Sequence, residues 1–471
     1  MTLADPAPTV LRSPQPPDTV DDANPRTATP RWVRLLVLAA IIAVAISVRI
    51  PFLHIETLDY QAFLSRWYDT LDTGGFGAFR ERFADYNYPY LYLIWLLTAL
   101  NIPALIGIKA ISILFDLVLG FFAYRIVALR TSRFWLRALA FGVVVLLPSV
   151  IANSAWWGQA DAVYSAFVLG GVYFLMRAQS ESLRANSIWA CVMFGLAISF
   201  KLQAVFVLPV LAWLLMRRRL PWYSLFAIPL VFLLLDLPAV LAGASWDTAL
   251  SVYLDQTGSY KQLTLGAANL YQLIPIDGDA TWLAHLGIAA AAAVIVVFLA
   301  WSVWRKPAVT PTSILVVATA SAVVVPFLLP AMHDRYFYTA EVLSVVMAFY
   351  LPLRFVLIPI LIQAAAIGVY HSSLTGDQGR LMGGPAGGGR PGGGFGSGGG
   401  PGGSGGGPAS ADGGHHGPPG GGAGGDAGSY TSGRGDSALT VYASFMAAAV
   451  LGVCYTVADT VRRSRSQPPT S

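Results

Sequence analysis

Of the 471 residues of this chain, 55% are hydrophobic and only 12% charged, against roughly a quarter charged in ordinary soluble domains. The apolar stretches are mostly long enough for the ~20 residues a helix needs to cross hydrocarbon, and they are continuous rather than alternating, which excludes a soluble globular domain and a β-barrel. The formal charge of +5 comes from arginines set between apolar segments; the positive-inside rule accounts for them, and nucleic-acid binding is not expected.

The composition therefore predicts an all-α fold, a polytopic transmembrane helical bundle of about twelve spans. Residues 1–30, rich in Pro, Asp, Thr and Ala, read as a disordered cytoplasmic tail. Arg26, Arg31 and Arg34 cluster at the start of the first apolar helix, Trp32 to Phe52, and set the N-terminus inside. The first outer loop, 53–103, is an island of charge and aromatics that closes with a short apolar piece, Tyr88 to Leu100. Reading that piece as a span would put Arg125, Arg130, Arg133 and Arg137 outside, so it is read as an interfacial helix. Spans then follow at 104–127, 136–151, 160–176, 188–200, 202–216, 222–241, 282–304, 313–329, 342–353 and 355–370, with a later outer loop at 244–281. The membrane-embedded region covers 31–371. Residues 372–436 read as a Gly-dominated, disordered outer linker, 437–460 as the last span and 461–471 as a cytoplasmic tail. His415-His416 lacks further ligands at fixed spacing, and Cys191 and Cys454 lie in apolar helices, so neither a metal site nor a disulfide is predicted.

On this topology every polar motif opens to the same side. Asp59 follows the first helix, with Tyr60, Phe63 and Trp67 at helical spacing, the pattern of an amphipathic helix on the membrane surface; as a plain alternative, Asp59 caps that helix. Asn153 to Asp161 ends the third span, and Trp156-Trp157 are ordinary interface anchors by themselves. Gly158, Gln159 and Asp161 are not explained that way: an aromatic platform beside amide and carboxylate groups is how a site holds a sugar. Lys201, in Ser199-Phe200-Lys201-Leu202-Gln203, costs roughly 2.5–3.5 kcal/mol at membrane depth and needs an anion, either a lipid phosphate or an internal Asp. Finally, Met332 to Tyr338 packs His333, Arg335, Tyr336 and Tyr338 between two spans, and a guanidinium there suits bidentate phosphate contacts.

Together, Asp59-Tyr60, Asn87-Tyr88-Pro89-Tyr90-Leu91-Tyr92, Trp156-Trp157-Gly158-Gln159-Ala160-Asp161, Ser199-Phe200-Lys201-Leu202-Gln203 and Met332-His333-Asp334-Arg335-Tyr336 resemble the GT-C membrane glycosyltransferases. Among these the chain is most similar to bacterial proteins related to the second mannosyltransferase of GPI-anchor assembly. It departs from their pattern in Pro89-Tyr90, where Pro-Pro is usual, and in His333-Asp334-Arg335, where His-Glu-Arg is usual.

The resemblance implies a GT-C fold in a bacterial plasma membrane, both termini cytoplasmic and the active site extracytoplasmic. It implies inverting transfer of a hexose, mannose by the nearer resemblance, from a polyprenyl-phosphate donor to a glycan, lipid or protein acceptor, without cofactor or metal. Asp59 would be the general base; Lys201, His333, Arg335 and Tyr336 would hold the donor phosphate; Asp85, Tyr88, Trp157, Gln159, Asp161 and Gln203 would shape the sugar and acceptor pocket. Two other functions fit the composition: a transporter or lipid flippase, with Asp116 and Asp236 as midplane charges, and a polymerase or ligase of undecaprenyl-linked glycans.

Overall fold

The computed structural model describes residues 29–258, 260–376 and 429–466. All but the end of the N-terminal tail, most of the Gly-rich segment and the last five residues lie outside them. The chain begins with α1 (Arg31–Ser47), carried on to Phe52 by a 3-10 turn. In the first loop, a π-helical stretch Tyr60–Leu64 leads into α2 (Ser65–Gly74), and α3 (Tyr88–Ala99) follows. Next come α4 (Ala104–Ala128), α5 (Phe134–Leu146), α6 (Pro148–Ile151), α7 (Asp161–Arg177) and α8 (Leu183–Phe200). They are followed by α9 (Pro209–Met216), α10 (Ala227–Leu241) and, in the second large loop, α11 (Trp246–Gly258). The body is completed by α12 (Thr281–Arg305), α13 (Pro311–Leu328), α14 (Tyr338–Ala348), α15 (Leu357–Thr375) and α16 (Ser437–Ser466). Strands β1 (Thr264–Leu265) and β2 (Met332–His333) pair in parallel, Leu265 opposite His333.

The chain is a polytopic helical membrane protein. Among the described residues, 8 helices are long and apolar enough to cross a membrane, and α5 with Pro148–Trp157, bent by 47°, makes a ninth when counted as one span. The other three segments expected to span are helical but short: α7 has 17 residues, while Leu202–Met216 and α14 are shorter still. Each short segment begins at a motif. Lys201 adopts an extended backbone (φ −158°, ψ 135°) that breaks the run between α8 and Leu202. Before α14, Ala331 sits at φ 58°, a conformation that L residues rarely take, and the chain passes through β2 before helix resumes. The polar motifs interrupt the helices, and irregular backbone at membrane depth is stable only where protein or a cavity satisfies it.

The interior is organised on α7, which is buried on nearly every residue and packs against α4, α8, α13 and α14. A fully buried ion pair ties four helices beside it. Arg49, at the end of α1, reaches Asp116 of α4 at 2.8 Å and donates to the carbonyl oxygens of Ala45 and Val145, while Tyr338 donates to Asp116 from α14 at 3.4 Å. Asp116 is thus a paired structural carboxylate. Lys109, also buried, donates to the carbonyl oxygens of Phe52 (2.7 Å) and Ile55 (2.6 Å) and so pins the start of the first loop to α4.

The outer linker expected at 372–436 is shorter at both ends. Helix α15 runs to Thr375, and residues 429–436 dock on the second loop. Thr431 exchanges backbone hydrogen bonds with Lys261 (2.8 Å) and Leu263 (2.9 Å), Tyr430 accepts from Ala280, and Arg434 donates to the carbonyl of Gln272. Gly433 allows this approach: its φ is +64°, and a Cβ there would lie 2.2 Å from the Thr264 carbonyl oxygen.

Candidate active site

Asp59 stands in the first turn of the helix that becomes α2, yet its side chain makes no cap hydrogen bond. Thr57 supplies that contact instead, accepting from the Tyr60 amide. The Asp59 carboxylate is turned to the end of the third span, where Oδ2 accepts from Trp157 Nε1 at 3.0 Å and from Gln159 Nε2 at 2.7 Å. The Arg335 Nη1 lies 3.4 Å from the same oxygen.

Two π-helical stretches build this meeting. Tyr60–Leu64 follows Asp59, and Ala152–Trp157 delivers Trp157 and leads directly to Gln159. The second stretch stops at Gly158, whose φ of 77° reverses the chain and lets the Gln159 amide close back on the Asn153 carbonyl at 3.0 Å. Such π segments are rare and gather at functional sites. Thr57 and Ser112 add two more ties, donating to the carbonyls of Trp157 and Gln159.

Behind Asp59 runs an alternating line of charge. Arg335 Nε is 3.7 Å from Asp161 Oδ2, Asn153 Nδ2 donates to that oxygen at 2.9 Å, and Asp161 Oδ1 takes the Lys201 ammonium. The ammonium also faces the rings of Tyr86 (5.4 Å) and Tyr164 (5.9 Å). The guanidinium of Arg335 covers the Trp157 ring at 5.2 Å. Access falls along the line: side-chain exposure is 17% for Asp59 and 15% for Arg335, but 7% for Lys201 and 1% for Asp161. Asp59 and Arg335 are therefore the edge that a ligand meets first.

Burial alone would weaken the Arg335 cation, but Asp59, Asp334 and Asp161 around it hold its pKa well above the ordinary arginine value. His333 goes the other way. Burial, helped by the positive charges of Arg335 and Lys201, lowers it from 6.5 to about 3, so it is a neutral imidazole near pH 7 and offers an N–H rather than a charge. Its ring packs edge-on against Tyr260 at 4.7 Å and beside Tyr336 at 5.1 Å. Burial raises Asp334 to about 6 against the pull of Arg335, and Ser373 donates to it at 2.7 Å.

Of the residues expected from the sequence, Asp59, Trp157, Gln159, Asp161, Lys201, His333, Arg335 and Tyr336 come together here. Trp157, Gln159 and Asp161 do not form an open sugar platform, because all are buried and direct their polar atoms to Asp59 or Lys201. They orient the carboxylate and the cations. Asp85 is exposed near Tyr260, and its carbonyl accepts from Gln256 of the second loop. Gln203 is buried two residues beyond Lys201, and among the described residues its Oε1 has no hydrogen-bond partner.

Tyr88 is placed elsewhere. Its ring packs on Phe79 and Tyr92, so it stands outside the Asp59 cluster. Sequence reasoning missed Tyr86, Asn153 and Tyr164 as parts of the site. Asn153 belongs to a motif already singled out and Tyr86 directly precedes the Asn87 to Tyr92 motif, and that adjacency was the available signal. Among the described residues no group of three or more metal-ligating side chains occurs.

No family model matches this chain, and no curated protein matches it. Among solved structures, the crystal structure of ArnT from Cupriavidus metallidurans bound to undecaprenyl phosphate is similar over 73% of this chain and 70% of that chain, with 14% sequence identity and a TM-score of 0.46. A likeness of that size assigns neither family nor activity.

Proposed function

We propose that this chain is a GT-C-type membrane glycosyltransferase that moves a hexose, with mannose the first candidate, from a polyprenyl-phosphate donor to an acceptor on the extracytoplasmic face. The observation that carries the reading is Asp59, a partly accessible carboxylate fixed by Trp157 and Gln159 and set beside the Arg335 cation. An acceptor hydroxyl gives its proton to Asp59 while its oxygen forms the new bond to the anomeric carbon. The bond from that carbon to the phosphate oxygen breaks on the opposite side, which inverts the centre, and the polyprenyl phosphate leaves with an added negative charge.

Arg335 is the residue that reaches both partners. It lies 3.4 Å from Asp59, and an incoming phosphate draws the guanidinium to its own oxygens and frees Asp59 for the acceptor. Lys201 adds a second positive charge from behind, held in direction by Asp161, and neutral His333 donates an N–H to the phosphate. Tyr260, Tyr336 and Asp85 stand at the mouth. Pairing of Asp116 with Arg49 speaks against the transporter reading, because one of its two midplane charges is already neutralised.

The test is transfer in membranes containing the full chain, supplied in turn with radiolabelled polyprenyl-phosphate mannose, glucose and arabinose. Labelled product from one donor, mannose first, is expected. Failure with all three, or substrate accumulation in proteoliposomes without labelled product, would overturn the reading.

A further inference from the structure

The helices that bring the Asp59 partners to one end of the bundle carry a different chemistry at the other. Helix α4 starts beside the site, where Lys109 holds the first loop, and ends in Arg125 with Arg130 just past its cap; α7 starts at Asp161 and ends in Arg177. With 25 residues in α4, a rise of 1.5 Å per residue separates these ends by about 37 Å. That is close to the full thickness of a bilayer with its headgroups.

At this far end lies a cavity of about 490 Å³, lined by Val127, Arg130, Thr131, Arg133, Leu136 and Phe349. A smaller one, about 270 Å³, is built on residues flanking the same turn and takes in Arg125, Arg137 and Arg177. The one acid lining either cavity, Glu181, is already paired with Arg177 at 2.6 Å. Arg125 donates to the Tyr173 hydroxyl and Arg137 to the Thr131 carbonyl. Arg130 and Arg133 differ: neither has an ion pair among the described residues, and Arg130 is held only by its face against the Tyr350 ring at 5.4 Å.

Topology alone asks only that arginines stand near the interface, free in water. It does not ask for a concave site lined by two guanidinium groups without ion pairs among the described residues together with Val127, Leu136 and Phe349. Next to it on α5, Trp135 and Leu139 are exposed at 57% and 52% and offer an apolar surface for acyl chains. A ligand matched to this site has an anionic oxygen-rich head and a hydrocarbon tail.

We propose that the cavity of Arg130 and Arg133 binds the phosphate of an anionic phospholipid from the leaflet opposite the Asp59 site. The two guanidinium groups take the phosphate oxygens, the Thr131 hydroxyl donates to the headgroup, and the acyl chains descend past Leu136 and Trp135. The site is separate from the donor-lipid site and stands whether or not the transferase reading does.

The full chain purified in detergent is titrated with phosphatidylglycerol, phosphatidylcholine or soluble glycerol phosphate, and bound ligand is read by native mass spectrometry. Phosphatidylglycerol is expected to be retained, the other two not. Arg130→Gln with Arg133→Gln weakens that binding roughly thirtyfold, about 2 kcal/mol at about 1 kcal/mol per arginine. Arg218→Gln with Arg219→Gln removes the same charge from the far end of α9 and leaves binding unchanged. Equal losses in the two pairs would reduce the site to general surface charge and overturn the proposal. Glycerol phosphate bound as tightly as the lipid would overturn its assignment to a lipid. If the glutamine pair does not fold, Arg130→Lys with Arg133→Lys keeps the charge and loses the bidentate fork; unchanged lipid binding there would also contradict the proposal.

Discussion

Replacing Lys201 by Met removes the cation from a pair whose side chains are 7% and 1% exposed. Asp161 would then keep Asn153 Nδ2 at 2.9 Å and Arg335 Nε at 3.7 Å, but not its ammonium. Breaking a buried pair from one side costs about 3–5 kcal/mol, and the remaining Asn153 hydrogen bond and the nearby Arg335 charge put Lys201→Met at about 3 kcal/mol. Asp161→Asn is expected to cost a similar ~3 kcal/mol, because it leaves the buried ammonium without a counter-charge beside the Tyr86 and Tyr164 rings. The double variant has no stranded charge and keeps an Asn oxygen for Asn153. It should therefore lose about 3 kcal/mol rather than about 6, a coupling energy of about 3 kcal/mol. Equilibrium unfolding in mixed micelles, carried out on both single variants and the double, measures that difference. Single effects that add to within about 0.5 kcal/mol would refute the pairing and, with it, the role of Asp161 as the group that aims Lys201.

Two further predictions bear on the neighbours of the site. Because the pKa of His333 drops from 6.5 to about 3 on folding, the unfolded chain takes up its proton first as the solution is acidified. Stability contributed relative to His333→Gln is thus present above pH 6.5 and lost as the pH falls from 6.5 towards 3. The difference between the unfolding free energies of wild type and His333→Gln should follow that one-proton slope, and a flat difference would show a charged imidazole. At the docked strap, Gly433→Val drives a side chain into the Thr264 carbonyl and should lower transfer by loosening the β1–β2 pair beside Tyr260, whereas shortening 382–428 should leave transfer unchanged. The reverse pattern in a rate assay would remove the strap from the account.

Long-range organisation was legible because it rests on hydropathy. Each of the twelve segments read as spans is helical, in the predicted order, and the charged interruptions at Asp59, Lys201 and Arg335 meet as their shared side of the bundle requires. What escaped was backbone geometry and side-chain direction. Nothing in Ala152–Trp157 announces a π-helical stretch, since its residues would serve an α-helix as well, yet that register turns Trp157 inward to Asp59 and away from the sugar-platform role. Tyr88 and Tyr86 are only two residues apart, but Tyr88 packs on Phe79 and Tyr92 while the Tyr86 ring faces the Lys201 ammonium. The docking of 429–436 depends on main-chain pairing, which leaves no mark on composition.

Asp59→Asn tests the central claim most directly. The change keeps the size of the side chain and removes the proton acceptor, so the variant should fold and bind donor lipid as wild type does. Its initial rate of transfer from the polyprenyl-phosphate donor should fall by at least about a hundredfold, the lower end of what a positioned general base contributes. A folded Asp59→Asn protein that transfers sugar at a near-normal rate would contradict the assignment of Asp59 as the base.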